Sequence, residues 1–105
     1  MDEDLKNDLE QYFKGAKKLK PNVFVLVRDN HVVEPLVDAK FSENEPSTLI
    51  MPDYQEIFEG DILVYPMTRQ FCYADDIRHI TGKGVYFVHY HTKYQLKPHT
   101  FLDAE

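Results

Sequence analysis

Pro21-Asn22-Val23-Phe24-Val25-Leu26-Val27-Arg28-Asp29-Asn30-His31-Val32-Val33-Glu34-Pro35-Leu36-Val37 is the stretch on which the fold turns. Val23–Val27 is β-branched and apolar, which reads as a strand. Asp29-Asn30 is turn chemistry, because both residues tolerate left-handed backbone geometry. Val32–Val37 then returns. Pro35 interrupts it and lacks an N–H for a ladder, which predicts an edge strand. The whole stretch predicts a β-hairpin.

Upstream of Pro21 the period is different. Leu5, Leu9, Tyr12, Phe13, Ala16 and Leu19 recur at steps of three and four, one apolar stripe on an α-helix over about residues 4–19. Asp2, Glu3 and Asp4 open it, and Lys17, Lys18 and Lys20 close it, both in keeping with the helix dipole. Gly15 weakens its last turn and Pro21 ends it. A small sheet needs a cover for one face, so the stripe is expected to pack on the strands.

Downstream the period stays near two. Residues 38–47 contain Asp, Ser, Glu, Asn and Pro and read as a loop. Thr48–Met51 is a short strand and Pro52-Asp53 a turn. Ile62–Tyr65 is the next strand, closed by Pro66, and Phe71–Tyr73 answers it. Asp75-Asp76 is expected to bulge or break that strand before Ile77–Ile80. Gly82-Lys83-Gly84 predicts a hairpin turn, because glycine permits positive φ. Val85–Tyr94 is expected to be the longest strand, and residues 97–105 a C-terminal tail. The fold class is α+β, mainly β. An N-terminal amphipathic helix precedes about six short antiparallel strands over residues 23–94, closing as a small, partly open, SH3-like barrel. At 105 residues the chain is one domain.

Composition narrows the function classes. One cysteine, Cys72, excludes an internal disulfide framework. The acidic start is unlike a signal peptide, and no apolar run approaches the roughly 20 residues of a membrane span. A cytoplasmic protein is expected, in a bacterial or host cell. The net charge is −6, and Glu43 to Asp61 holds six acids with no Lys or Arg. Such a surface repels phosphate backbones and attracts basic proteins, so a basic protein partner is expected rather than nucleic acid or membrane. Glu43, Glu45, Asp53, Tyr54, Glu56 and Glu59 are the candidate partner-binding residues.

Ile57-Phe58-Glu59-Gly60-Asp61-Ile62-Leu63 has its own logic: a glycine for a tight turn, a flanking acid, then an apolar strand. This segment resembles the "EGDI" segment of the YopX-like small phage proteins. Pro52-Asp53-Tyr54-Gln55 precedes it where that family has a Gly-rich approach. The resemblance implies a phage or mobile-element origin and a small β fold, and brings no catalytic residues.

Chemistry-bearing residues are few. His89 and His91 are two apart on a strand and share a face, so both imidazoles can chelate one metal. His79, across the Gly82–Gly84 turn, is the candidate third ligand, with His99, Asp75, Asp76 and Cys72 as others. Cys72 would need His79 or His89 as base to act as a nucleophile; a buried structural thiol is the simpler reading. Asp75 and Asp76 are adjacent, so a regular strand points them to opposite faces. No cofactor-binding motif occurs. The leading expectation is a non-enzymatic, acidic protein-binding module: an inhibitor, an immunity or anti-defence protein, or an assembly adaptor. The alternatives are a metal-binding domain or metal-dependent enzyme using His89 and His91, and a self-associating module that dimerises through an edge strand.

Overall fold

Leu5, Leu9 and Phe13 are spaced one helical turn apart and are the buried residues of helix α1, Glu3–Lys14. The computed structural model describes residues 3–93 of the chain. The α-helix stops earlier than its apolar stripe predicts. Gly15 takes the last helical bond, donating to the Gln11 carbonyl, and Ala16–Lys18 form a single 3₁₀ turn. The stripe continues, with Ala16 buried, but the helical hydrogen bonding does not. Glycine is the weakest ordinary helix former, and three lysines in six residues repel one another just beyond it.

Among the described residues seven strands follow: β1 Val23–Arg28, β2 His31–Asp38, β3 Lys40–Phe41, β4 Thr48–Pro52, β5 Ile62–Tyr65, β6 Gln70–Ile80 and β7 Val85–Lys93. They form one sheet in the order β2-β1-β5-β6-β7-β4-β3, with antiparallel pairs throughout. Its two edges, β2 and β3, are separated along the chain by Ala39 alone. One continuous run of residues therefore supplies both edges, and the sheet must roll up. Phe24 of β1 and Phe41 of β3 confirm it: near opposite ends of the strand order, their ring centroids are 5.6 Å apart. The result is a small, partly open barrel.

The barrel has an inside and a partly covered outside. Phe24, Leu26, Leu49, Leu63, Cys72 and Val88 fill the interior. Val25 and Val27, which alternate with the inward residues of β1, join Val64 and Phe71 beneath α1. Strand β1 is thus buried on both faces, which explains its unbroken apolar run. Leu9, fully buried in the outer cluster, contributes roughly 1.5–3 kcal/mol by its removal from water. Leu9→Ala would open this contact.

The turns follow their chemistry. Asp29 and Asn30 have φ of 51° and 64°, the double left-handed turn that suits a tight hairpin. Strand β2 is an edge, and its register against β1 slips twice, between the partners of Phe24 and Leu26 and of Leu26 and Val27. Pro35 falls within the first slip, where its missing N–H costs no ladder bond. Gly84 takes φ of 67° at the β6–β7 turn.

Two expectations need correction, and a third is met by one of its two alternatives. Residues 40 and 41, read as loop, form β3, because their pairing with Ile50 and Leu49 is supplied from outside the segment. Of the two alternatives expected at Asp75-Asp76, a bulge or a break, the structure has the bulge. β6 runs through both acids for 11 residues and, among the described residues, is longer than β7 with nine, against the expectation that Val85–Tyr94 is the longest. A bulge absorbs the disturbance, for Ala74 faces Tyr90 while Asp76 already faces His89. Tyr94, His99, Asp2 and the expected tail at 97–105 lie outside the described residues. Among the described residues no helix is long and apolar enough to cross a membrane.

Candidate functional site

The loop between β4 and β5 carries four of the six candidate partner-binding residues, Asp53, Tyr54, Glu56 and Glu59. It is pinned from below. Ile57 inserts into the barrel core, 7% exposed. Asp61, 2% exposed, receives both Nε and Nη2 of Arg28 at 2.9 and 2.8 Å. The same carboxylate accepts the Phe58 N–H at 2.9 Å, and the Asp61 N–H returns to the Phe58 carbonyl at 3.0 Å. Gly60, at φ of 93°, makes the turn between them. The guanidinium of Arg28 also lies 4.7 Å from the Phe58 ring centroid. The hydrogen bond to Asp61 is the main reason the Arg28 pKa is raised. A buried carboxylate is tolerable only when its oxygens are satisfied in this way.

Pinning the ends leaves the loop's outer side chains exposed. Tyr54 is 78% exposed and Phe58 50%. The Tyr54 hydroxyl donates to Asp38 at 3.4 Å, a long contact. Glu59 is exposed, and Glu56, with 73% of its side chain exposed, lies 3.9 Å from Arg28. Two aromatic rings and two carboxylates therefore stand outward on a backbone whose shape is already set.

The remaining acids lie off this loop or, in the case of Asp53, are turned to a partner at its start. Glu43 is exposed on the 42–47 turn, where Ser42 Oγ accepts the Asn44 and Glu45 N–H groups. Glu45 reaches Arg78 at 3.7 Å and His89 Nε2 at 3.5 Å. Asp53 pairs with His79 at 3.0 Å. The acidic stretch is one block in sequence, but the fold distributes it over three places, and part of it is matched by the protein's own cations and imidazoles.

The histidines form pairs with carboxylates. His89 Nδ1 lies 3.6 Å from Asp76, and His91 Nδ1 lies 2.8 Å from Asp75. His91 also stacks on Tyr73 at 5.3 Å. The β6 bulge makes this possible. It turns Asp75 and Asp76, expected on opposite faces, toward the two histidines that share a face. His79 goes another way: its ring sits 4.8 Å from Tyr86, at the barrel mouth with Asp53. His79 is therefore not brought to His89 and His91, and among the described residues no group of three His, Cys, Asp or Glu is placed to hold a metal.

Cys72 is fully buried inside the barrel. Burial pushes its thiol up to about 12, so it stays protonated at neutral pH. Neither His79 nor His89 contacts it, both being engaged with carboxylates. Burial likewise raises the hydroxyls of Tyr73 and Tyr90. Tyr65, Tyr86 and Tyr90 pack on the interior cluster and Tyr73 on the outer one, as sheet residues.

Two members of the site are not legible as such in the sequence. Arg28 looks like the polar end of a strand, and its partner is 33 residues away. Phe58 has a weak signal: it follows Ile57 directly, and only one of two neighbouring apolar residues can face inward. Comparison of the chain with protein-family models, with curated proteins and with solved structures gave no match.

Proposed function

We propose that the protein is a non-enzymatic docking module that presents the 53–60 loop to a basic surface of a protein partner. The observation that carries this reading is the exposure of Tyr54 and Phe58 on a loop held by Ile57 and by the Arg28–Asp61 pair. Aromatic anchors contribute most of the binding energy at many interfaces, and a loop that is already ordered loses little entropy on binding. Glu56 and Glu59 add charge that steers a basic partner inward. The likeness of Glu59-Gly60-Asp61-Ile62 to YopX-like phage proteins favours an inhibitor, anti-defence or assembly role. A lone free thiol fits a reducing cytosol.

The test is capture from the native cell, with wild type beside Tyr54→Ala/Phe58→Ala. A specific partner that the double variant loses, and whose association slows by about tenfold or more as salt rises to about 0.5 M, supports the reading. Equal capture by the folded double variant overturns it.

A second reading has its own observation. Val33 and Leu36 are 41% and 49% exposed on the edge strand β2, a surface that a second copy would cover. Sedimentation over a wide concentration range tests it, and a single monomeric species throughout rules it out.

A further inference from the structure

The rolled sheet contains a fork. Up to Asp38 the run of residues 31–41 pairs with β1, Val23 facing Asp38. From Lys40 it pairs with β4 instead, Lys40 facing Ile50. Register extended from that pair would set Ala39 and Asp38 opposite Met51 and Pro52. They have already turned to β1, and Pro52 has no N–H to offer. The chain splays from β4 at this point, and a cleft of about 350 Å³ opens between them.

The fork is built, not frayed. The Ala39 N–H donates to the Asn22 carbonyl at 3.1 Å, and the Asp53 N–H to the Gly84 carbonyl at 3.0 Å. These bonds hold the two walls. Ala39 and Met51, 3% and 1% exposed, belong to the barrel core, so the cleft opens against it. Pro21, Ile50 and Val85 extend its apolar lining. A volume of this size falls at the low end of small-ligand sites, roughly 300–1,000 Å³.

Charge in the cleft differs from charge on the rest of the molecule. Lys20 and Lys40 line it, with Asp38 as the one acid. That acid is engaged by the Tyr54 hydroxyl. A chain of net charge −6 therefore places a net positive charge beside its apolar cleft.

We propose that this cleft binds a small amphipathic carboxylate, its hydrocarbon chain against Ile50, Met51 and Val85 and its anionic head at Lys20 and Lys40. The site uses different groups from docking through the 53–60 loop, which it meets at the Tyr54–Asp38 and Asp53–Gly84 contacts, and it has a different readout. Straight-chain carboxylates suit the fork because they are thin enough to lie between splayed strands. Each added methylene that finds apolar wall should tighten binding about fourfold.

The test is an amide NMR titration with hexanoate, octanoate and decanoate, each below its micelle-forming concentration, and with decanol as the uncharged control. The expected result is saturable shifts at Ala39–Lys40, Ile50–Met51 and Gly84–Val85. Affinity should rise about 15-fold per two methylenes until the cleft is full, with decanol several-fold weaker than decanoate. Lys20→Glu/Lys40→Glu should bring decanoate down to the decanol level or below and leave decanol unchanged. Val85→Trp should abolish both if its amide spectrum is that of the folded protein, and Ile50→Trp serves if it is not. Diffuse or non-saturating shifts overturn the site. Equal affinity for decanol and decanoate overturns the role of the lysines. Undiminished binding by the folded tryptophan variant overturns the location.

Discussion

The 53–60 loop and the outer face of β6 and β7 are both rich in carboxylates, and they use them differently. On the sheet face Asp75 and Asp76 sit beside His91 and His89, and Glu45 beside His89 and Arg78. On the loop the buried carboxylate of Asp61 takes a cation, Arg28, in a two-point contact, while Glu59 is left outward. The first arrangement is an exposed lattice of mutual compensation. The second is one buried pair that fixes a backbone and lets other groups face away. Charge counted along a chain is therefore a poor guide to charge offered to a partner; what matters is which acids the fold has already matched.

The strongest way to break this contrast is to remove the buried pair. Asp61→Ala leaves the Arg28 guanidinium and the Phe58 N–H without their acceptor. It should cost about 3 kcal/mol, the low end for a broken buried pair because Arg28 keeps partial contact with water. Urea unfolding measures it, as a lower midpoint at unchanged slope. A loss under about 1 kcal/mol would put this pair in the same class as the surface ones.

The barrel interior gives the next contrast, an ionisable group with no charged partner at all. The unfolded chain releases the Cys72 proton near its ordinary value of about 8.5, and the folded chain holds it to about 12. Between those values the native state binds more protons, so stability falls as pH rises, by up to about 1.4 kcal/mol per unit from this group. Cys72→Val should flatten that alkaline slope whatever it does to stability at neutral pH. Denaturation between pH 9 and 11 checks it, and an unchanged slope would mean that the thiol is reached by water.

Smaller effects are expected on the sheet face. His91→Ala removes an exposed pair and a ring stack, and should cost no more than about 1 kcal/mol by thermal melting. Smallest are the isosteric changes. Glu43→Gln/Glu59→Gln should leave stability within about 0.5 kcal/mol per site and slow association with a basic partner. Glu45→Gln/Glu56→Gln, whose acids already face Arg78, His89 and Arg28, should slow it less. Equal slowing by the two pairs, read by stopped flow at low salt, would show that compensation within the protein does not matter to the partner.

Local patterns carried much of the fold. The helix showed in its spacing, the β1–β2 hairpin in Asp29-Asn30, the edge in Pro35 and the buried thiol in its aromatic neighbours. What escaped was non-local. Strand β3 is two residues long and exists because β4 reaches it. β6 continues through two aspartates because the histidines of β7 receive them. The candidate site was partly legible. Tyr54, Glu56 and Glu59 stood out by composition, while Arg28 and Phe58 acquire their roles from Asp61. A carboxylate's partner is set by the fold, and the sequence shows only that it will need one.

The run from His31 to Phe41 has a further consequence, for the order and cooperativity of folding. The β1–β2 hairpin and the β5–β6–β7 meander are built from near neighbours and can form early. The β4–β7 ladder joins residues 48–52 to 85–89, and only once it stands can Lys40 and Phe41 dock. Their docking closes the ring, like a clasp whose tongue and buckle sit on one strap. Opening it at Ala39 loosens the inner partners of both edge strands together, so local opening there couples the two edges of the sheet. The Lys40 amide, paired toward Ile50, should therefore exchange more slowly than a two-residue edge strand alone would allow, while the slowest amides belong to the long central strands.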